Sequence, residues 1–234
     1  MSVANAYAPA ISGPSEARIA FLRKVGLLTF GGLSLTAVVA VVSMFTIAPI
    51  VMRVPFGAFA AILGTFFFAH YFCRKLVYGD SKMLGFALST VAEGISFGFL
   101  LLTTIFYAGP EHIGEGMRII AKGMGITASA GLGMLIYTWF NKSDLSMVKA
   151  GLSVMGLPML VLMVLQFVFP VGGLFGLILC GAFVVVSGAS LLYALHTVVH
   201  EMDEDMHVEA AYEITMKMLV LLWNVIQLLN RLRR

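Results

Sequence analysis

Seven stretches of the chain are nearly continuous in apolar residues, at 25–52, 56–73, 83–107, 117–140, 147–169, 172–199 and 208–230. A helix rises 1.5 Å per residue, so about 20 such residues cross a hydrocarbon layer ~30 Å thick. Each stretch approaches or exceeds that length. None alternates polar and apolar positions in the manner of a membrane β-strand. A segment in lipid must satisfy its own backbone hydrogen bonds, which predicts helices. The expected fold is all-α and integral to a membrane, a seven-transmembrane-helix bundle over residues 25–230. A mostly polar or small-residue tail, 1–24, precedes it, and a short basic tail, 231–234, follows.

The pieces between the apolar stretches are brief: 53–55, 74–82, 108–116, 141–146, 170–171 and an acidic turn at 200–207. Pro170 ahead of Gly172 and Gly173 predicts a tight reversal between the fifth and sixth helices. Glycine recurs inside the helices, as in Gly94-Ile95-Ser96-Phe97-Gly98 and Gly131-Leu132-Gly133. Small residues let helix backbones approach closely, although glycine is common in membrane helices for no special reason.

Composition agrees with this pattern. Hydrophobic residues make up 60% of the chain and charged residues 12%, against roughly half and a quarter in an ordinary soluble domain. So few charges could not cover the surface of a soluble fold of 234 residues. Formal net charge is only +3, and no basic stripe interleaved with aromatics supports nucleic-acid binding. Cys73 and Cys180 both fall inside apolar stretches and read as small buried hydrophobes rather than a disulfide framework. The first apolar stretch is too long for the core of a cleavable signal and reads as a retained anchor.

Lysine and arginine concentrate on the cytoplasmic side of membrane proteins. With the N-terminus in the cytoplasm, that side carries eight basic residues: Arg18, Arg23, Lys24, Arg74, Lys75, Lys82, Lys142 and Lys149. The other side carries five: Arg53, Arg118, Arg231, Arg233 and Arg234. The count predicts a cytoplasmic N-terminus. The basic C-terminal tail sits awkwardly with seven full spans and fits better if the last segment is re-entrant.

Ionisable groups at bilayer depth are costly and usually face a protein interior or a wet cavity. Glu93 is the strongest candidate, ten residues from Met83 and fourteen from Tyr107. It is expected to face the interior, with His196, Asn224 or Lys217 as its polar neighbour. A carboxyl held neutral by burial, or hydrogen-bonded to a neighbouring helix for structural reasons, is the alternative reading and weighs about equally. Lys122 lies near a helix end, where its stem can snorkel. Glu213 and Lys217 stand four apart, which predicts an ion pair on one helix face. His70 falls near the end of the second stretch and marks an interface. His196 and His200 are also four apart and could share a metal, but no carboxylate sits between them as in His-Glu-x-x-His. A solvated acidic loop is the plainer account of that region, so no metal site and no cofactor are expected. No nucleophile elbow, phosphate loop or pair of close intramembrane carboxylates appears, so an enzyme is not expected.

Four pieces of sequence carry a resemblance. They are Phe21-Leu22-Arg23-Lys24-Val25; Glu93-Gly94-Ile95-Ser96-Phe97-Gly98; Asn141-Lys142-Ser143-Asp144-Leu145-Ser146; and Leu192-Tyr193 through His200 followed by Trp223-Asn224-Val225-Ile226-Gln227. In this order and spacing the chain resembles the Bax inhibitor-1 (transmembrane Bax inhibitor motif) family, most closely its bacterial branch. The resemblance implies six helices around a more polar, central seventh, in a bacterial inner (plasma) membrane. It also implies a pH-sensitive calcium leak, latched in the family by two aspartates on the sixth and seventh helices, and an association with a membrane-bound FtsH-type protease. Here the two latch positions align with Ala194 and Asn224, neither of which ionises.

Two functions follow as expectations. The first is a passive ion pathway for calcium or protons, with Glu93, His196, Asn224 and Lys217 as its candidate residues and the aspartate latch altered or absent. The alternative is a protein-interaction role in which the chain is a modulator or substrate of a membrane-bound protease.

Overall fold

Helix α1 (Glu16–Phe45) starts ahead of the first apolar stretch, with Glu16 in its first turn, where a negative charge suits the helix dipole. The structure is a computed structural model and describes residues 16–106, 113–141, 145–168 and 173–233. The expected reversal at Pro170 lies outside the described residues, as do most of the N-terminal tail and residues 142–144 of the third piece of resembling sequence. After α1 come α2 (Ile47–Val51), α3 (Gly57–Phe67), α4 (Arg74–Val77), α5 (Lys82–Phe106), α6 (Ile113–Phe140), α7 (Ser146–Val168), α8 (Gly173–His200) and α9 (His207–Leu232). Every element among the described residues is helical.

Among the described residues, five helices are long and apolar enough to cross a membrane: α1, α5, α6, α8 and α9. Their outward faces explain why. Phe30 and Leu174 are each 73% exposed, and so much bare apolar surface is stable only against lipid. The first expected segment does not continue to Met52. It breaks after Phe45, and a short α2 leads into a turn in which Phe56 takes a left-handed backbone (φ 59°). At the next residue a Cβ would stand 2.3 Å from the Val51 carbonyl, so Gly57 is required there.

The second segment also departs from expectation. It is not one α-helix over 56–73: α3 passes into a π turn at Phe68–Cys73 and then into α4, which carries the helix on to Val77. Arg74, expected in a linker, is therefore helical. A π turn lacks the usual i→i−4 bonds. The carbonyl of Ala69, inside this one, accepts the buried Tyr212 hydroxyl of α9 at 3.0 Å.

Two helices lie deep in the molecule. α5 packs against α1, α6, α9 and the second segment, and α9 packs against α1, α5, α6 and α8. The α1–α5 contact is the tightest. A Cβ on Gly94 would come within 2.6 Å of Val39, and one on Gly98 within 2.5 Å of Ser43 Oγ. In that close contact Thr36 donates to the Thr90 carbonyl at 3.1 Å, and Ser43 to the Ile95 carbonyl at 3.2 Å. The other glycine pair behaves differently: Gly133 faces open space and Gly131 meets only the tip of Met218.

The ends of the helices are tied by charge. Arg18 donates to the Val198 carbonyl (2.5 Å) in the last turn of α8, a group that the helix itself cannot satisfy, and to the Met202 carbonyl (2.6 Å) just beyond it. Lys82, at the start of α5, pairs at 2.5 Å with Glu209 in the first turn of α9. Cys73 and Cys180 are both buried and free, as read from the sequence.

Candidate functional site

Residues of α3, the π turn, α4, α5, α7, α8 and α9 line a half-open cavity of about 820 Å³. Its walls follow from helical periodicity. On α9 the lining includes Glu213, Lys217, Val220, Asn224, Gln227 and Arg231, spaced alternately four and three apart on one face, flanked by Leu219 and Trp223. On α8 the facing row is Phe183, Ser187, Ser190, Ala194 and Thr197, with the same spacing. The second segment contributes Ile62, Phe66, His70, Arg74 and Tyr78, every fourth residue. On a straight α-helix that row would drift around the axis, and the wider π turn offsets the drift. The cavity is thus apolar over much of its wall and polar along one line of α9.

Glu93 projects into this space from α5 and is 6% exposed. Its expected neighbours were His196, Asn224 and Lys217. The structure places Lys217 and Asn224 around the same cavity, on α9, but the ionisable group in contact is His70, whose Nδ1 lies 3.4 Å from Glu93 Oε1. The same nitrogen lies 3.2 Å from the Phe66 carbonyl, and the imidazole stacks on the Phe66 ring. Beside them, Thr65 of α3 and Ser96 of α5 share a hydroxyl–hydroxyl hydrogen bond.

A second cluster stands at one end of the cavity. Glu213 does not form the expected pair with Lys217. Its Oε1 accepts from the Tyr78 hydroxyl at 3.0 Å and lies 3.6 Å from Arg74 Nη2. The Arg74 guanidinium in turn covers the Tyr78 ring at 5.5 Å. Burial, reinforced by the adjacent Glu213 carboxylate, pushes the Tyr78 phenol well above its ordinary range. Tyr78 therefore remains a donor at any physiological pH.

His196 is not brought to the cavity. It is 8% exposed, with neither ring nitrogen hydrogen-bonded, and its Nδ1 lies 3.5 Å from Glu201. Its ring is tilted against that of His200 at 4.8 Å, while His200 Nε2 lies 2.8 Å from the Thr138 carbonyl. Among the described residues no third His, Cys, Asp or Glu joins these two to form a metal-binding group.

His70, Arg74 and Tyr78 are the site residues that sequence reasoning missed. The available signal was the four-residue recurrence from Phe66 to Tyr78, which a reading of the segment by apolar length alone passes over. Ala194 and Asn224 both line the cavity.

A membrane-embedded helical protein with a polar row facing an internal cavity is the class that this geometry defines. The chain matches the family described as "Inhibitor of apoptosis-promoting Bax1" over residues 18–234 and belongs to it. Among curated proteins, none matches this chain.

Proposed function

We propose that the chain crosses a cell membrane seven times, with its N-terminus in the cytoplasm, and provides a passive pathway for small ions along α9. Two further spans join the five long helices. The second segment runs over 57–77, about 31 Å at the helical rise, and α7 has 23 residues. The excess of lysine and arginine in the N-terminal tail and in the loops on its side supports the orientation.

One observation carries the pathway: the polar row that faces the cavity extends from Glu213 to Arg231. Eighteen residues of helix cover about 27 Å, close to the hydrocarbon thickness. Polar groups at that depth are costly unless they line water or one another, and the cavity gives them that setting. The pathway lacks the family's latch, since Ala194 and Asn224 cannot share a proton.

Purified protein in dye-loaded liposomes tests the reading. Wild type should pass ions without a steep dependence on pH, and Glu93→Ala should change the rate. The Ala194→Asp/Asn224→Asp double variant should acquire a pH-dependent block. Liposomes that stay tight with wild type, alongside a membrane-bound protease captured by crosslinking in native membranes, would replace this function with the protease-modulating one.

A further inference from the structure

The charges on the cavity wall are unequal. Among the described residues, Arg74, Lys149 and Lys217, with Arg231 at the far end engaged in a contact of its own, line it against two carboxylates, Glu93 and Glu213. Glu213 is committed to Arg74 and to the Tyr78 hydroxyl, so it offers little field to a passing cation. No carboxylate among the described residues lies in ion-pair reach of Lys217. Its ammonium stands four residues from Glu213 and seven from Asn224 on the same face, so an ion moving along α9 passes it directly.

Calcium exchanges its water for six to eight oxygen ligands, several of them carboxylates in a tight site. This cavity offers one carboxylate not already held by a cation, Glu93, and the latch positions Ala194 and Asn224 add no charge. The repulsion from a fixed ammonium also doubles for a divalent ion. An anion meets the opposite conditions, namely a positive wall, ammonium donors and the N–H groups of the Asn224 and Gln227 amides. Anion-selective pores are built from lysine and arginine in this way. We infer that the pathway along α9 passes small anions in preference to calcium, with Lys217 as its selectivity-determining side chain. This rests on the pathway proposed above and names its cargo.

The test compares chloride and calcium entry into proteoliposomes under matched gradients, using a dye specific for each ion. Chloride should enter wild-type vesicles about tenfold faster than calcium. Lys217→Gln should slow chloride about tenfold, Lys217→Arg should retain it, and Lys217→Glu should invert the order of the two ions. Retention by the arginine variant, with monodisperse elution of all three, separates lost selectivity from misfolding. Calcium outrunning chloride in wild type overturns the inference and leaves the pathway standing, and so does a Lys217→Gln rate equal to wild type. Movement of neither ion overturns both.

Discussion

The α1–α5 contact and the α9 wall of the cavity show two ways to bury polar groups in one membrane protein. At the first, small residues bring two backbones together, and short hydroxyls donate straight into the neighbour's carbonyls, Thr36 to Thr90 and Ser43 to Ile95. At the second, long polar side chains line one face of α9, interrupted at Val220, and the neighbouring helices stay back. Lipid supplies no hydrophobic force to draw helices together, so the first region depends on close van der Waals contact. The second depends on enclosed space. Loss of close fit should therefore damage the first region, and loss of particular hydrogen bonds or charges the second.

The largest effect belongs to the tight region. Gly98→Ala would set a Cβ 2.6 Å from that of Ser43 and 3.0 Å from the Met44 backbone nitrogen, which cannot move aside cheaply. We expect a loss of about 2 kcal/mol even after the alanine's gain in helix propensity. Gly133→Ala meets nothing within 4 Å and should be neutral or slightly stabilising. Thermal melts of the two variants in detergent check the contrast. Equal shifts would show that the glycines of α5 are no more constrained than those of α6.

That contrast also marks how far the sequence could be read. Both glycine pairs look alike in sequence, and only the packing partner separates them. The depth of Glu93 was legible because a helix fixes position by residue count, and burial of both cysteines was legible from their apolar surroundings. The partner of Glu213 was not. The i, i+4 rule offers Lys217, but tertiary packing brings Tyr78 from 135 residues away and Arg74 beside it. The π turn was hidden for a related reason: its Ala69 carbonyl takes a long-range bond from Tyr212, and no local propensity announces it. Ala194 and Asn224 were found only by resemblance, since an alanine and an asparagine in apolar helices carry no signal of their own.

Between the two regions in expected effect stands the Tyr212 hydroxyl, which joins α9 to the π turn. Tyr212 is 2% exposed, and its donor satisfies the Ala69 carbonyl. Tyr212→Phe leaves that carbonyl without its partner and should cost about 1.5 kcal/mol. A variant that melts with wild type would mean that the π turn holds without α9.

The smallest effect, and the one most specific to the cavity wall, belongs to Tyr78. Its hydrogen bond to Glu213 is solvent-accessible, so Tyr78→Phe should cost only a few tenths of a kcal/mol at neutral pH. The distinguishing measurement lies in the alkaline range. Burial and the Glu213 carboxylate raise the folded-state phenol above its unfolded value, which is about 10. The unfolded chain then gives up the proton first as pH rises. Tyr78 therefore contributes its full share to stability below pH ~10 and loses it as pH climbs from there toward the folded-state value. Melting temperature against pH should fall more steeply for wild type than for Tyr78→Phe above that point, and the two curves should run parallel below it. Curves parallel across the whole range would show that the phenol titrates alike in both states. The Arg74–Glu213–Tyr78 cluster would then be held by the ion pair alone.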